Sequence, residues 1–287
     1  MVISKDNIII TDFGACKAIN GKNILTDEDI IPFYKTEREI STKIIKTKLF
    51  PSFSIGFENN IFVGKLSKTN NKIVMTNMLK KTEKIRRSDY IITPKIQLIG
   101  RGDINKITCF IYANFIKHGY FTNNNKTAVI YLEKMPKEEI NEIKAMSGII
   151  LNQKRQTIFI KNKNINHFLQ KYMKNIPVFF YSLDERMLTY FYNNLNIKER
   201  PYITKYETLA FDLFMLSYLK FNRIYKIEEI KNNQKKYKLS LASYNDYIIS
   251  DKILYSEIEN ITIGKKMIGY EFDNKNKRTH LGFYMAV

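Results

Sequence analysis

Residues 99–146, IGRGDINKITCFIYANFIKHGYFTNNNKTAVIYLEKMPKEEINEIKAM, contain the pattern that decides the fold class. Apolar side chains recur there at helical spacing from Ile104, with Asp103 placed to cap the helix and Gly119 placed to end it. The following KTAVIYLE is typical of a buried strand, and a proline then precedes a second helical pattern, KEEINEIKAM. This segment predicts alternating helices and strands, and therefore an α/β fold.

The pattern continues toward the C-terminus. Leucines at 209, 213 and 216 give one predicted helix a broad apolar stripe. The last 60 or so residues return to strands and turns. The other predicted elements are an apolar segment at 156–160, helices at 164–174, 183–195 and 206–221, and a strand at 177–181. Without an internal repeat or linker, we expect one chain-length unit, 1–287, with a first half at 1–150 and a second at 151–287.

The N-terminal third predicts strands separated by polar segments. Residues 7–21, NIIITDFGACKAING, predict a strand, a tight turn at Asp12-Phe13-Gly14 and a returning strand. The charged stretch 22–48 predicts a loop-rich insertion, and 49–66 predicts a hairpin around Asn59-Asn60. Residues 67–88 end in the basic run KKTEKIRR. We expect a solvated face or loop there, with a nucleic-acid-binding patch as the alternative.

The chain is strongly basic, with a formal net charge of +19 and a pI near 9.6. Such a charge raises the local concentration of polyanions, so nucleic acid or an acidic partner is a candidate ligand. The excess is spread through Lys-, Asn- and Ile-rich sequence, however, and no RNA-binding motif or Cys/His finger accompanies it. A compositional bias therefore explains the charge better than a dedicated nucleic-acid-binding surface does.

Cysteine and histidine usage gives little sign of metal or redox chemistry. Cys16 and Cys109 have no cysteine neighbour at metal-ligand spacing, so we expect buried, reduced thiols. The three histidines are isolated from one another, which indicates neither a zinc centre nor a catalytic triad. No apolar stretch approaches the roughly 18–20 residues of a membrane span, and no signal-peptide pattern opens the sequence. We expect an intracellular protein, in cytoplasm or nucleus, without a membrane partner.

The first strand-turn-strand resembles the phosphate-binding turn of actin and its relatives. In that family an Asp-x-Gly turn cradles nucleotide phosphates with its backbone amides, and Asp12-Phe13-Gly14 fits that place. Lys17 with Ala18 resembles the Lys-Ala that begins the family's second strand, where the lysine offers a point charge to phosphate. The spacing is slightly shorter than in the usual actin loop.

Other segments resemble the same family in the same order along the chain. The most extensive likeness is 99–146, which resembles a capped helix, a buried strand that ends in a glutamate, and a Pro-Lys element before the next helix. Glu133, Pro136 and Lys137 occupy the corresponding positions. Shorter likenesses are FPS at 50–52, NNIFVG at 59–64, IPVFFYSLDERMLTYFYNNL at 176–195 and SEIENITIG at 256–264.

The resemblance implies a shortened actin-like (ribonuclease H-like) α/β fold, with mixed sheets and flanking helices. It implies a phosphate turn at Asp12, Gly14 and Lys17, and weak ATP binding at most. The second Asp-x-Gly turn of the family is missing, as is a confident equivalent of its catalytic glutamine, so we expect no useful ATPase. A plain tight turn between strands, which needs glycine for a positive φ, explains the same residues better than retained nucleotide binding does. Asp103 is better explained as a helix cap than as a catalytic carboxylate, and Glu133 with Lys137 as a surface pair.

The function that the resemblance implies is a non-catalytic actin-related subunit, which acts as a structural component of a cytoskeletal or chromatin-associated assembly through protein partners. One alternative is a basic, nucleic-acid-associated accessory factor, such as a viral or plasmid replication or capping subunit. Residues 31–83 loosely resemble the small subunit of poxvirus capping enzymes, which favours that class. Another alternative is a nucleotide-dependent actin-like filament protein.

Overall fold

A computed structural model describes the chain over most of its length. The residues described are 2–4, 8–11, 14–17, 23–25, 30–32, 34–69, 72–93, 95, 102–122, 126–134, 138–197, 200–231, 234–271, 279–281 and 284–286. Within them, no helix is both long enough and apolar enough to span a membrane.

The α-helices of the described residues lie in the middle of the chain. They are α1 Lys106–His118, α2 Ile140–Ala145, α3 Lys163–Tyr172, α4 Glu185–Leu195 and α5 Glu207–Phe221. Side-chain caps begin three of them: Asn105 before α1, Asn162 before α3 and Asp184 before α4 each accept a backbone N–H of the first turn. Short 3-10 helices lie at Thr82–Lys84 and Val178–Ser182.

Strands flank the helical region on both sides of the sequence. They are β1 Val2–Ser4, β2 Ile8–Thr11, β3 Gly14–Lys17, β4 Asn23–Leu25, β5 Ile30–Pro32, β6 Tyr34–Ile40, β7 Thr42–Thr47, β8 Phe53–Gly56, β9 Asn60–Thr69, β10 Lys72–Lys81, β11 Asp89–Thr93, β12 Gly119–Thr122, β13 Thr127–Tyr131, β14 Ile149–Asn152, β15 Thr157–Ile160, β16 Tyr202–Thr204, β17 Tyr225–Lys231, β18 Lys235–Leu241, β19 Tyr247–Ser250, β20 Ile253–Ile263, β21 Met267–Glu271, β22 Thr279–Leu281 and β23 Tyr284–Ala286.

The strands form several antiparallel sheets. The largest has the order β22-β23-β9-β11-β20-β7-β8, with β10 beside β9 and β19 beside β20. A four-stranded sheet has the order β12-β13-β15-β14, and a three-stranded sheet has the order β16-β18-β17. The α/β class is therefore confirmed in its coarse form. The mixed sheets of the actin-like expectation do not appear among the described strand pairs, which are all antiparallel.

Helix α5 lies at the centre of the core. Its residues 209–218 are all buried, although the sequence predicted only a stripe. A helix that is apolar on every side is one surrounded by protein. Phe214 of α5 packs edge-on against Phe50, beside the largest sheet, with ring centroids 5.0 Å apart. From the other side, the Tyr192 hydroxyl of α4 donates to the Leu213 carbonyl at 3.1 Å. One continuous cluster of buried side chains thus joins the sheets and helices.

The predicted loop-rich insertion at 22–48 is wrong over its described residues, because β4, β5, β6 and β7 fall within it. Exposed charged residues alternate with buried ones in these strands. Ile40 and Ile45 are buried, whereas Lys46, which follows Ile45, is exposed. Charge on the solvent side of a strand is compatible with an antiparallel sheet. The weak apolar pattern was therefore a half-buried strand pattern.

The hairpin predicted around Asn59-Asn60 is also wrong in its pairing. β8 pairs with the preceding strand β7, and β9 pairs with β10 and β11. The Asn59 side of the connection is instead held by Thr82, whose N–H and hydroxyl both donate to the Asn59 carbonyl at 2.9 Å. The segment 67–88, predicted as a solvated face or loop, supplies the long exposed strand β10.

Two smaller predictions also change. The helix predicted from Ile104 begins at Lys106, and its cap is Asn105, while the Asp103 carboxylate accepts the N–H of Ile104 at 2.7 Å. The strand predicted at 177–181 is a 3-10 helix, which follows Pro177 and buries Phe179 and Phe180. The apolar run was correctly identified as buried, but its length could not distinguish a strand from a helical turn.

We predict that Cys109 is inert in the folded protein. Its side chain is fully buried in α1, and burial raises the pKa of the thiol to about 12. Because the thiolate is the reactive form, alkylation at pH 8 should be very slow until the chain unfolds. Mass spectrometry after iodoacetamide treatment measures this. A Cys16→Ser variant makes Cys109 the sole thiol, and rapid labelling of that folded variant would contradict the described packing.

Candidate nucleic-acid interface

The strand-turn-strand predicted at 7–21 is confirmed in its strands. β2 and β3 form an antiparallel hairpin in which Thr11 pairs with Gly14. Asp12 and Phe13 connect these two residues and lie outside the described residues. Gly14 is thus placed at the start of β3.

Lys17, the predicted phosphate-contacting lysine, contacts a carboxylate. Its Nζ lies 2.5 Å from Oε2 of Glu207, the first residue of α5, and the Tyr237 hydroxyl donates to the same oxygen at 2.9 Å. A carboxylate at a helix N-terminus is favourably placed with respect to the helix dipole. A phosphate near Lys17 would have to compete with this partly buried ion pair.

The predicted surface pair of Glu133 and Lys137 is not described, because Lys137 lies outside the described residues. Glu133 instead receives Lys117 Nζ at 2.6 Å and His118 Nε2 at 3.1 Å, both from the end of α1. Hydrogen bonds from Lys117 and then from His118 lower the pKa of the Glu133 carboxyl below its usual range. His118 therefore has a partner, as expected of an isolated histidine.

The four-stranded sheet carries aromatic side chains on its outer face. Strand pairing places Tyr120 opposite Val129, Val129 opposite Phe159, and Phe159 opposite Ile150. Directly paired residues share a face of a sheet, and Tyr131, two residues after Val129, shares it too. Tyr120, Tyr131 and Ile150 are 45%, 51% and 53% exposed. We use the name aromatic face for the five side chains on this side of the sheet, which are Tyr120, Val129, Tyr131, Ile150 and Phe159.

The opposite face of the same sheet belongs to the core. Ala128, Ile130, Ile158 and Ile160 are fully buried members of the core cluster, on the side that packs against α1. Val129 is 1% exposed yet does not belong to that cluster. The sheet has one face against helices and one face of rings directed to solvent.

The two exposed tyrosines form a pair. Their rings are nearly parallel, with an interplanar angle of 27° and centroids 6.0 Å apart, and their hydroxyls are 3.4 Å apart. The hydrogen bond with Tyr131 raises the pKa of Tyr120 above its usual range. Tyrosine has few rotatable bonds, so a pair fixed in this way offers stacking area at low entropic cost.

Basic side chains lie at the ends of the strands that carry the aromatic face. Lys154 and Arg155 are exposed on the turn between β14 and β15, and Lys126 is exposed immediately before β13. The turn is fixed, because the Arg155 N–H donates to the Asn152 side chain at 3.1 Å and the Leu132 N–H donates to the Gln156 carbonyl at 2.8 Å. A sheet that carries exposed aromatic rings on one face and cations at its strand ends suits a ligand with flat groups and negative charge.

A cleft of about 270 Å³ lies where the ends of α1 and α4 meet the residues before β16. Lys117, His118, Glu133, Asn196 and Arg200 are among its lining residues. Because α1 ends at His118 and α4 at Leu195, the carbonyl ends of two helices border it and offset part of its positive charge. The cleft thus offers both hydrogen-bond acceptors and cationic donors.

Within the part of the chain that the structure describes, no group of three or more His, Cys, Asp or Glu side chains is arranged to hold a metal ion. The comparisons with known proteins add no assignment. No protein-family model matches the chain, and a search of curated proteins finds no significant match.

Sequence analysis did not predict the aromatic face. The sequence predicts a buried strand at KTAVIYLE, and this prediction does not indicate that Tyr131 is exposed. The aromatic residues at 120, 131 and 159 are far apart in the sequence. Only the pairing of β12, β13 and β15 brings them onto one face. Pairing between strands that are distant in sequence is not encoded in any local pattern.

We predict a small, pH-dependent contribution of Glu133 to stability. Glu133→Gln should lower the free energy of unfolding at pH 7 by less than about 1 kcal/mol, because the pair is partly exposed to solvent. A carboxyl with a lowered pKa stabilises the fold above its unfolded pKa of about 4.3, and that contribution is lost as the pH falls through the folded pKa.

Urea unfolding of wild type and variant between pH 7 and pH 3 measures this contribution. The difference between them should shrink below about pH 4. Glu142→Gln, at an exposed glutamate of α2, is the matched control and should give a nearly constant difference. A Glu133→Gln effect that grows as the pH falls would contradict the ion-pair geometry.

Proposed function

We propose that the chain is a non-catalytic accessory subunit that binds single-stranded nucleic acid on the aromatic face. The observation that carries the proposal is the pair of near-parallel, half-exposed tyrosines, Tyr120 and Tyr131, on the outer face of an antiparallel sheet. Unpaired bases stack on exposed aromatic rings, and sheets with such rings are a recurrent platform for single strands. This develops the nucleic-acid-associated alternative of the sequence analysis.

Charge supports the same ligand. A formal net charge of +19 attracts polyanions, and Lys126, Lys154 and Arg155 place part of that charge at the ends of the strands that carry the rings. An exposed apolar or aromatic patch could otherwise contact a protein. The three cations favour a partner that combines flat rings with regularly spaced negative charge, and single-stranded nucleic acid has both.

An actin-related structural subunit is the second candidate. Its support is the order of elements: the β2–β3 hairpin that carries Lys17, then α1, β13 and α2 in the region of strongest resemblance. The contact of Lys17 with Glu207 and the antiparallel partners of β13 give it less support than the aromatic face gives nucleic acid. In this proposal the subunit works in a cytoskeletal or chromatin assembly through protein partners. ATP-dependent light scattering would instead favour the filament alternative.

Substitution of the tyrosine pair tests the main proposal. Tyr120→Ala and Tyr131→Ala should each weaken binding of a fluorescein-labelled single-stranded oligonucleotide by about five- to 150-fold, the equivalent of about 1–3 kcal/mol per stacked base. Fluorescence anisotropy at fixed salt measures the affinity. The corresponding Tyr→Phe variants should stay close to wild type, because they keep the ring.

Tyr244→Ala is the matched control, since Tyr244 is 90% exposed on the turn between β18 and β19, away from the aromatic face. It should leave the affinity unchanged. Equal affinities for wild type and for the Tyr120→Ala, Tyr131→Ala double variant would refute stacking on this face.

A further inference from the structure

The basic run KKTEKIRR at 80–87 forms a shaped surface on the largest sheet. It connects the end of β10 to the start of β11 through the 3-10 helix at Thr82–Lys84. Lys65 of β9, Lys84 and Arg86 line a depression of about 540 Å³ there. A basic run in a solvated loop would have no fixed shape, so the contacts that hold this one are the first point to establish.

Buried side chains within and next to the run attach it to the sheet. Ile85 is 3% exposed and Asp89 is 1% exposed. The Asp89 carboxylate accepts Lys80 Nζ at 2.6 Å and the backbone N–H of Arg86 at 2.8 Å. The Thr82 side chain is fully buried and donates to a carbonyl of the neighbouring loop at 2.9 Å. The backbone that carries Lys84 and Arg86 is therefore fixed to the sheet.

Lys43 fixes the same loop from the adjacent strand β7. Its ammonium group donates to three backbone carbonyls, those of Thr82 at 3.1 Å, Glu83 at 2.9 Å and Ile85 at 3.0 Å. Desolvation by burial lowers the pKa of Lys43, and the nearby Asp89 and Glu83 carboxylates oppose that shift. Lys43 thus stabilises the loop by hydrogen bonds to its carbonyls, and we do not count it among the cations offered to a ligand.

The remaining cations face solvent. Lys80 is paired with Asp89, which leaves Lys65, Lys84 and Arg86 as exposed cations of the depression. None of these three has a carboxylate partner within ion-pair distance in the described parts of the chain. Glu83 is the one unburied carboxylate among the lining residues. Exposed cations carried on a fixed backbone around a concave surface match the phosphates of a polyanion.

We propose that this depression is a second binding site of the chain, at which Lys65, Lys84 and Arg86 contact consecutive phosphates of single-stranded nucleic acid. The inference rests on the proposed function, and it assigns the bases and the phosphates of the strand to two different surfaces. The aromatic face binds bases by stacking, which depends little on salt. The depression binds the backbone by charge, and each phosphate contact releases counterions and adds to the salt dependence of binding.

The test compares two double variants that lose the same total charge. Lys84→Gln with Arg86→Gln removes two cations from the depression, and Lys144→Gln with Lys220→Gln removes two exposed lysines from α2 and the end of α5. All four side chains are exposed, so the fold should survive, and circular dichroism checks this. Oligonucleotide affinity is measured between 50 and 200 mM salt for wild type and both variants.

The depression variant should lower the slope of log affinity against log salt by about 1.4, because each phosphate contact to a single strand contributes about 0.7. Its loss of affinity between 50 and 200 mM salt should accordingly be about sevenfold smaller than that of wild type. The control double variant should change the slope much less. The Tyr120→Ala, Tyr131→Ala variant should lower affinity at an unchanged slope.

Equal slopes for the two charge variants would overturn the second site, since they would show that the charge acts diffusely. If the tyrosine variants still weaken binding in that case, the proposed function stands without it. Absence of oligonucleotide binding by wild type at 50 mM salt would overturn both proposals.

Discussion

The burial of α5 on all sides is the constraint on which the rest of the structure depends. A helix with no solvent-exposed face needs every neighbouring element to supply either an apolar surface or a hydrogen bond. Tyr181 donates to the Asp212 carbonyl, Tyr192 to the Leu213 carbonyl, and Tyr218 of the helix itself donates to the Lys252 carbonyl beside β20. The Asp212 carboxylate accepts the Ile176 N–H at 2.8 Å. These bonds join α4, the 3-10 helix after Pro177 and the largest sheet to one element.

The arrangement around α5 also explains why one sheet keeps a bare face. Helix α1 packs against both α4 and β13, so it is the core face of the four-stranded sheet that meets the helices. An antiparallel sheet tolerates water on one face, because its backbone groups are paired within the sheet. A solvent face needs only polar side chains, yet this one carries Tyr120, Tyr131 and Ile150. Exposed aromatic residues in such a position are a feature of binding surfaces.

Local sequence patterns predicted most of the helices and few of the contacts. The periodic segments at 104–118, 164–174, 183–195 and 206–221 correspond to α1, α3, α4 and α5, because helical spacing is visible within a short window. Strand partners were predicted only in part: the β2–β3 hairpin is confirmed, but β8 pairs with β7, because an apolar run does not specify which neighbouring strand it joins. The contacts of the sites were not predicted because they join distant segments: Lys17 and Glu207 are 190 positions apart, and the aromatic face exists only through the β12-β13-β15 pairing. The basic run KKTEKIRR is visible in the sequence, but no local pattern there indicates that Ile85 and Asp89 are buried.

The central claim is that the aromatic face contacts the bases of a single strand. Photo-cross-linking tests it directly, with an oligonucleotide that carries 5-iodouracil, a base that reacts with aromatic side chains on which it stacks. After irradiation and digestion, mass spectrometry should place cross-links on Tyr120, Tyr131 or Phe159, and an excess of unlabelled oligonucleotide should suppress them. Efficient cross-linking confined to other aromatic residues, such as Tyr244, would contradict the account.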